Sequence, residues 1–295
     1  MSISLPDAMP RDHQNTVAAV VAALAQTPGV IAVVLGGSYA RGTARPDSDV
    51  DLGVYYEPSA PFHLNAIAKI AQSVAIRPPT VTDFYEWGAW VNGGAWIQTA
   101  TGKIDLLYRN LDQVKRTIEE AEQGLVHHDY PQQPPYGFYS VIYLAETHFC
   151  APLADSSGAI QTLKERVRVY PERLHRRVVN DGLWSVEFTL LHADSFAAQG
   201  DVYNTVGCMT RVATTLTQVL FALNRCYFIS DKGVMTTIEQ FSQKPEGFTE
   251  EISAILAAPG AEAAALKQSV QRLWALWRRT VELTGGAYRP KFALQ

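Results

Sequence analysis

Gly36-Gly37-Ser38-Tyr39-Ala40-Arg41-Gly42, followed after a short polar loop by Ser48-Asp49-Val50-Asp51-Leu52, is the stretch on which the fold turns. Ahead of it, Val30 to Leu35 is a short apolar run rich in β-branched residues. Ending in two glycines, it reads as a buried strand entering a tight loop. A second strand is expected from Asp49 to Tyr56. Alternate side chains of a strand face the same way, so Asp49 and Asp51 project together, roughly 7 Å apart at the backbone. Two carboxylates on one face suit a hard divalent cation, because Mg²⁺ takes oxygen ligands and is held by one or two carboxylates plus substrate phosphates. The glycines complement them. Without Cβ atoms, Gly36 and Gly37 let backbone N–H groups approach phosphate oxygens, and Ser38 adds a hydroxyl donor. Arg41 offers a fixed cation for charge that builds on a leaving group. Ser48, next to the acidic pair, joins the same phosphate-contacting set.

Working outward, the apolar residues Val17, Val20, Val21 and Leu24 recur at helical spacing between Asn15 and Gln26, and Pro28-Gly29 closes that segment. Leu64 to Ile76 has the same periodicity and stops before Pro78-Pro79, after which Thr80 to Phe84 is β-like. Trp90 to Gln98, split by Asn92-Gly93-Gly94, resembles a hairpin turn, and Lys103 to Tyr108 supplies a further strand. That strand carries Asp105 between Ile104 and Leu106. A carboxylate among apolar neighbours is costly unless it is paired or metal-bound, so Asp105 calls for a cation.

Beyond Asn110 strand signals fade. Leu183 to Ala198, Val206 to Leu223 and Ala261 to Leu283 carry helical periodicity, and the prolines between Asp129 and Pro135 mark a linker. The expected class is α+β: residues 1–130 form a domain with a mixed sheet and flanking helices, and residues 131–295 form a helical bundle. With 295 residues, 47% of them hydrophobic and 18% charged, the chain can bury a sizeable core. A net charge of -4 supplies no chain-wide basic field for extended nucleic acid. Cys150, Cys208 and Cys226 show no zinc-ligand spacing and fit a reducing compartment. The N-terminus lacks signal-peptide character and no stretch reads as a bilayer span, so a cytoplasmic protein without membrane contact is expected.

The pattern GGS, then DVD flanked by apolar residues, then IDL resembles the signature of the DNA polymerase beta-like nucleotidyltransferase superfamily, particularly its aminoglycoside and lincosamide nucleotidyltransferases. The resemblance runs from the N-terminus to about Asn110. It implies a glycine-serine loop that binds NTP phosphates at Ser38, and Asp49, Asp51 and Asp105 as ligands of two Mg²⁺ ions. The reaction it implies is transfer of a nucleoside monophosphate, AMP from ATP, to a hydroxyl of a small-molecule acceptor with pyrophosphate release, as in antibiotic modification. The alternatives are nucleotidylation of a protein or tRNA, as in antitoxin nucleotidyltransferases, and a non-catalytic nucleotide-binding regulatory module. In general layout the helical bundle of residues 131–295 resembles the acceptor-binding domains of antibiotic-modifying enzymes. Neither the acceptor nor the oligomeric state is legible in the sequence.

A base for the acceptor hydroxyl is sought next to the metals. Asp105 is one candidate. Resembling enzymes also recruit a glutamate from the helical domain, for which Glu146 is the nominee and Glu187 a weaker one. Lys232, in a loop between expected helices, is a candidate for the triphosphate. Trp87, Trp90 and Trp96 cluster ahead of Asp105, as core or as a stacking wall for a base, a sugar or a ring-bearing acceptor. Arg166, Arg168, Arg173, Arg176 and Arg177 read as a solvated helix face. His127-His128 lacks a third ligand, and His148 and His192 read as hydrogen-bonded core histidines.

Overall fold

The structure, a computed structural model, describes residues 4–45 and 47–292. In chain order the helices are α1 (Arg11–Ala25), α2 (Gly37–Ala40), α3 (Leu64–Val74), α4 (Leu111–Glu122), α5 (Val141–Phe149), α6 (Ala159–Arg166), α7 (Glu172–Ala198), α8 (Val202–Leu223), α9 (Val234–Glu239), α10 (Phe248–Ala257) and α11 (Ala263–Glu282). The strands are β1 (Ala32–Leu35), β2 (Val50–Tyr56), β3 (Thr80–Val81), β4 (Gly94–Gln98), β5 (Lys103–Asn110), β6 (His128–Asp129), β7 (Phe138–Tyr139) and β8 (Ala151–Ala154). The chain divides into two compact units, one of residues 1–120 and 127–169, the other of residues 121–126 and 170–295.

The first unit is built on a six-stranded sheet in the order β3-β4-β5-β2-β1-β8. β2 and β5 pair in parallel and the other neighbours antiparallel, so the sheet is mixed as expected. Alternation along β2, β4 and β5 separates the two faces. Val50, Leu52 and Val54, Ala95 and Ile97, and Ile104 and Leu106 are buried in one core with Val17, Val20, Val21 and Leu24 of α1 and Ile67 and Ala71 of α3. The other face carries the polar residues of the same strands. Expected and observed strands agree for β1, β2 and β5 to within two residues at either end.

Several local expectations are corrected. The turn proposed at Asn92-Gly93-Gly94 is not the hairpin: β4 starts at Gly94 and returns to β5 through Thr99–Gly102, where the Thr99 hydroxyl donates to the Gly102 carbonyl at 2.7 Å and accepts from the Gly102 N–H at 3.1 Å. The boundary at 130/131 also moves, because residues 127–169 belong to the first unit. The proline-rich segment is no linker. Tyr130–Gln132 is a 3₁₀ turn between β6 and β7, and the Gln132 amide binds back to the first unit, accepting from Trp90 N–H at 3.0 Å and donating to the Trp87 carbonyl. β8 was not foreseen. It is short and contains Pro152, which an edge strand tolerates because one side makes no ladder bonds.

The second unit is helical, with α7, α8 and α11 packed on one another. Gly182 of α7 allows α8 to approach: a Cβ there would lie 2.5 Å from Val219 Cγ2. Trp277 is buried and donates its indole N–H to the Leu183 carbonyl at 3.0 Å, fixing α11 on α7. Among the described residues one helix, α8, is by length and composition apolar enough to cross a membrane, which the sequence reading did not register. Most of its apolar window is buried, as in a core helix of a globular domain. His192 is exposed and lies against Phe188, so it is not a core histidine, whereas His148 Nδ1 is 3.1 Å from the Val167 carbonyl oxygen. The arginines Arg168, Arg176 and Arg177 pair with Glu165, Glu172 and Asp181 one turn away, in keeping with a solvated face.

Candidate active site

Pairing of the central strands assembles the site. Gly36, just past β1, donates its N–H to the Asp51 carbonyl at 2.8 Å. Asp51 stands opposite Asp105 in the parallel β2–β5 ladder, and Asp105 stands opposite Trp96 in the antiparallel β5–β4 ladder. The glycine turn, the two aspartates and Trp96 therefore form one row across four strands. Asp49 precedes β2, two residues before Asp51, and joins the row through Lys103. The Lys103 ammonium lies 2.9 Å from Asp49 Oδ2 and 2.9 Å from Asp105 Oδ2.

The glycine turn is shaped by the carboxylate behind it. Gly37 has φ +59, a left-handed conformation that favours glycine, and a Cβ there would sit 1.8 Å from Asp51 Oδ2. Gly37 and Asp51 are thus a matched pair. Ser38 follows within α2, and Arg41 folds back to donate from Nε to the Gly37 carbonyl at 3.3 Å while remaining exposed. Ser48 has a local duty, accepting the Arg45 N–H on Oγ at 2.8 Å and so closing the turn that delivers Asp49.

The electrostatics is that of an anionic site short of cations. Burial, with the charges of Asp105, Asp49 and Glu146, pushes the Asp51 carboxyl up to about 6 against the partial relief of Lys103. Burial likewise raises Asp105, Lys103 opposing and Asp49 adding to the rise. Desolvation works against the Lys103 charge, but its hydrogen bonds to Asp49 and Asp105 outweigh that and hold it above its usual value. Asp105 Oδ1 is buried with no hydrogen-bond partner. Among the described residues no group of three or more His, Cys, Asp or Glu side chains is arranged to hold a metal ion, and Lys103 stands where Asp49 and Asp105 would share one. The donors nevertheless fit a hard cation: oxygen ligands only, one of them buried and unpartnered, around a point that already holds a positive charge.

Lys103 and Arg109 escaped the sequence reading. Period-2 alternation puts residue 103 on the same face as residue 105, a signal that was available. Arg109 is buried at the far end of β5 and donates from Nε and Nη2 to the two oxygens of Glu146, each at 2.7 Å. Both oxygens of Glu146, nominated as a base, thus accept from a guanidinium, while its charge still acts on Asp51. Glu187, the weaker nominee, is fully buried in the second unit and accepts from the Tyr288 hydroxyl at 2.7 Å and from the N–H groups of Lys291 and Phe292. Lys232 is exposed in the loop before α9. Trp90 packs with Phe138 and Tyr143, whereas Trp87 stacks on Trp96.

Residues 17–91, from α1 through the glycine turn and the DxD strand, match the family model of a nucleotidyltransferase domain. Over that stretch the chain is similar to a nucleotidyltransferase domain, in keeping with the resemblance of its motifs to the DNA polymerase beta-like superfamily. Such domains generally use an NTP and a divalent metal, and its presence supports a general nucleotidyl-transfer activity. Residues 141–232, from α5 to the Lys232 loop, match a domain of unknown function, DUF4037. Among solved structures, a nucleotidyltransferase-like protein from Exiguobacterium sibiricum 255-15 is similar over 93% of this chain and 78% of that one, with 10% identity and a TM-score of 0.48. A search of curated proteins finds no match.

Proposed function

We propose that this chain transfers a nucleoside monophosphate, AMP from ATP, to a hydroxyl group of a small-molecule acceptor with release of pyrophosphate. The observation that carries the reading is the row in which Asp51 and Asp105 stand in register beside the glycine turn, with Asp49 tied to Asp105 through a shared cation. Asp49, Asp51 and Asp105 are the residues that would hold Mg²⁺, which when bound supplies positive charge to the phosphate oxygens.

The chain's own groups divide the remaining work. The Gly36 N–H is taken by the Asp51 carbonyl and holds the turn in place, so the Gly37 N–H and Ser38 seat the β- and γ-phosphates, and Arg41 faces the charge that develops on pyrophosphate. Lys103 keeps Asp49 and Asp105 aligned before substrate arrives. Asp105 is the base: its Oδ1 has no competing donor, and burial raises its proton affinity. The acceptor oxygen bonds to the α-phosphorus as the bond to the β-phosphate oxygen breaks. The electron pair leaves with pyrophosphate and the acceptor proton passes to Asp105. Three free thiols and a charge of -4 fit a cytoplasmic enzyme with no nucleic-acid scaffold.

The test is pyrophosphate release with ATP and Mg²⁺ across aminoglycosides, lincosamides, simple sugars, protein and tRNA. Asp49→Ala and Asp105→Asn should each lower turnover by at least about a hundredfold. Turnover that survives both substitutions overturns the assignment. Protein or tRNA as the sole productive acceptor would move the acceptor class to the antitoxin-like alternative.

A further inference from the structure

The row across the sheet also fixes the side from which the acceptor must come, and that side carries an aromatic platform. Gly36 and Gly37 end β1 on one flank of the carboxylates. On the other flank is β4, whose Trp96 is the cross-strand partner of Asp105 and so shares its face of the sheet. With strands about 4.8 Å apart, Trp96 starts one strand from Asp105 and two from Asp51. Phosphoryl transfer is an in-line displacement, with the attacking and leaving oxygens on opposite sides of the phosphorus. If pyrophosphate departs over the glycine turn, the nucleophile arrives from the β4 flank.

The flank is built for a flat ring. Trp96 is 43% exposed, unusual for the largest side chain, and Trp87 stacks on it with ring centroids 4.4 Å apart and planes 26° from parallel. Gly94, two residues earlier on the same face of β4, leaves room for this arrangement. A Cβ there would meet Trp87 Cη2 at 3.2 Å and the Leu106 carbonyl oxygen at 1.9 Å. The loop bearing Trp87 is fixed by its N–H donating to the Asn92 carbonyl at 3.1 Å and by Gln132. Trp90, by contrast, is spent on packing with Phe138, Tyr143 and His127. Two of the three tryptophans thus line the site and one does not.

We infer that the stacked Trp87–Trp96 pair is the acceptor subsite and that the acceptor is a hydroxyl compound bearing a planar aromatic ring, which lies on the indole face while its hydroxyl points at Asp105. The inference rests on the proposed nucleotidyl transfer for its direction of attack. Aromatic pairs prefer offset stacking, which an exposed indole offers to an incoming ring and denies to an aliphatic one.

The probes are 4-nitrophenyl β-glucoside and methyl β-glucoside, which share every sugar hydroxyl and differ in the aryl ring. Calorimetry with wild-type protein should give 4-nitrophenyl glucoside an affinity about tenfold above methyl glucoside. Trp96→Ala should erase that difference, Trp96→Phe should retain most of it, and ATP affinity in the presence of Mg²⁺ should stay unchanged in both. In the pyrophosphate assay the same substitutions should move KM for the aryl glucoside and not KM for ATP. Trp87→Ala provides a second variant, and thermal melts confirm that each remains folded. Equal affinity for the two glucosides, or a Trp96→Ala protein that loses ATP and keeps the aryl ring, overturns the inference. Selective aryl binding that Trp96→Ala abolishes, in a protein that neither binds ATP nor releases pyrophosphate, would sink the transferase reading and leave the aryl subsite standing.

Discussion

Replacing Asp51 with asparagine should make the metal-free protein more stable while abolishing transfer. Asp51 is held with its carboxyl pushed up from 3.8 to about 6 by burial and by Asp105, Asp49 and Glu146. At about 1.36 kcal/mol per pKa unit, that rise costs the ionised protein about 3 kcal/mol. The sign follows from linkage. A group whose folded pKa is raised contributes stability that is fully present below its unfolded value, here 3.8, and is lost as pH rises through about 6. Above pH 7 wild-type protein therefore carries the whole penalty, and Asp51→Asn, nearly isosteric and uncharged, relieves up to about 3 kcal/mol of it. For a domain of this size that amounts to about 6–12 °C in Tm. Between pH 8 and pH 5 the advantage of the variant should narrow by about 1.4 kcal/mol, because wild-type Asp51 takes up its proton. Urea denaturation of both proteins with EDTA at pH 8 and pH 5 measures both quantities. A variant less stable than wild type at pH 8, or a gap that does not change with pH, refutes the claim that converging carboxylates store unfavourable charge.

Three further outcomes follow from particular contacts. Gly37→Ala forces a Cβ to within 1.8 Å of Asp51 Oδ2 and puts a side chain at φ +59, so it should cost at least about 2 kcal/mol and weaken ATP binding, both read by thermal shift with and without nucleotide. Glu146→Gln strips the charge from the partner of buried Arg109 and should destabilise by about 3 kcal/mol in urea titration while turnover per folded molecule stays within a few-fold; a lost kcat at unchanged stability would restore Glu146 as the base. Glu187→Ala leaves the Tyr288 hydroxyl and the Lys291 and Phe292 N–H groups without an acceptor, a loss of about 2–4 kcal/mol that limited proteolysis should register as early cleavage of the C-terminal segment.

By itself the sequence determined the α+β class and the β1, β2 and β5 strands, and it nominated Asp49, Asp51 and Asp105, because these rest on local rules. Period-2 alternation fixes which residues share a face, and glycine marks where a backbone must turn or be approached closely, as at Gly37 against Asp51. What only the tertiary structure decided is everything set by pairing between distant segments. The parallel register of β2 on β5 puts Asp51 beside Asp105, the β4–β5 register brings Trp96 to the same row, and Lys103 becomes the cation shared by Asp49 and Asp105. Glu146 and Glu187 show the converse. Each is an acidic residue in an apolar helical run, and no local pattern reveals its partners; Arg109 and the segment around Tyr288 lie 37 and 101 residues away in the chain. The unit boundary behaves the same way: prolines near residue 131 signal a break in regular structure, but which side a segment packs on is fixed by long-range contacts such as Gln132 with Trp87 and Trp90.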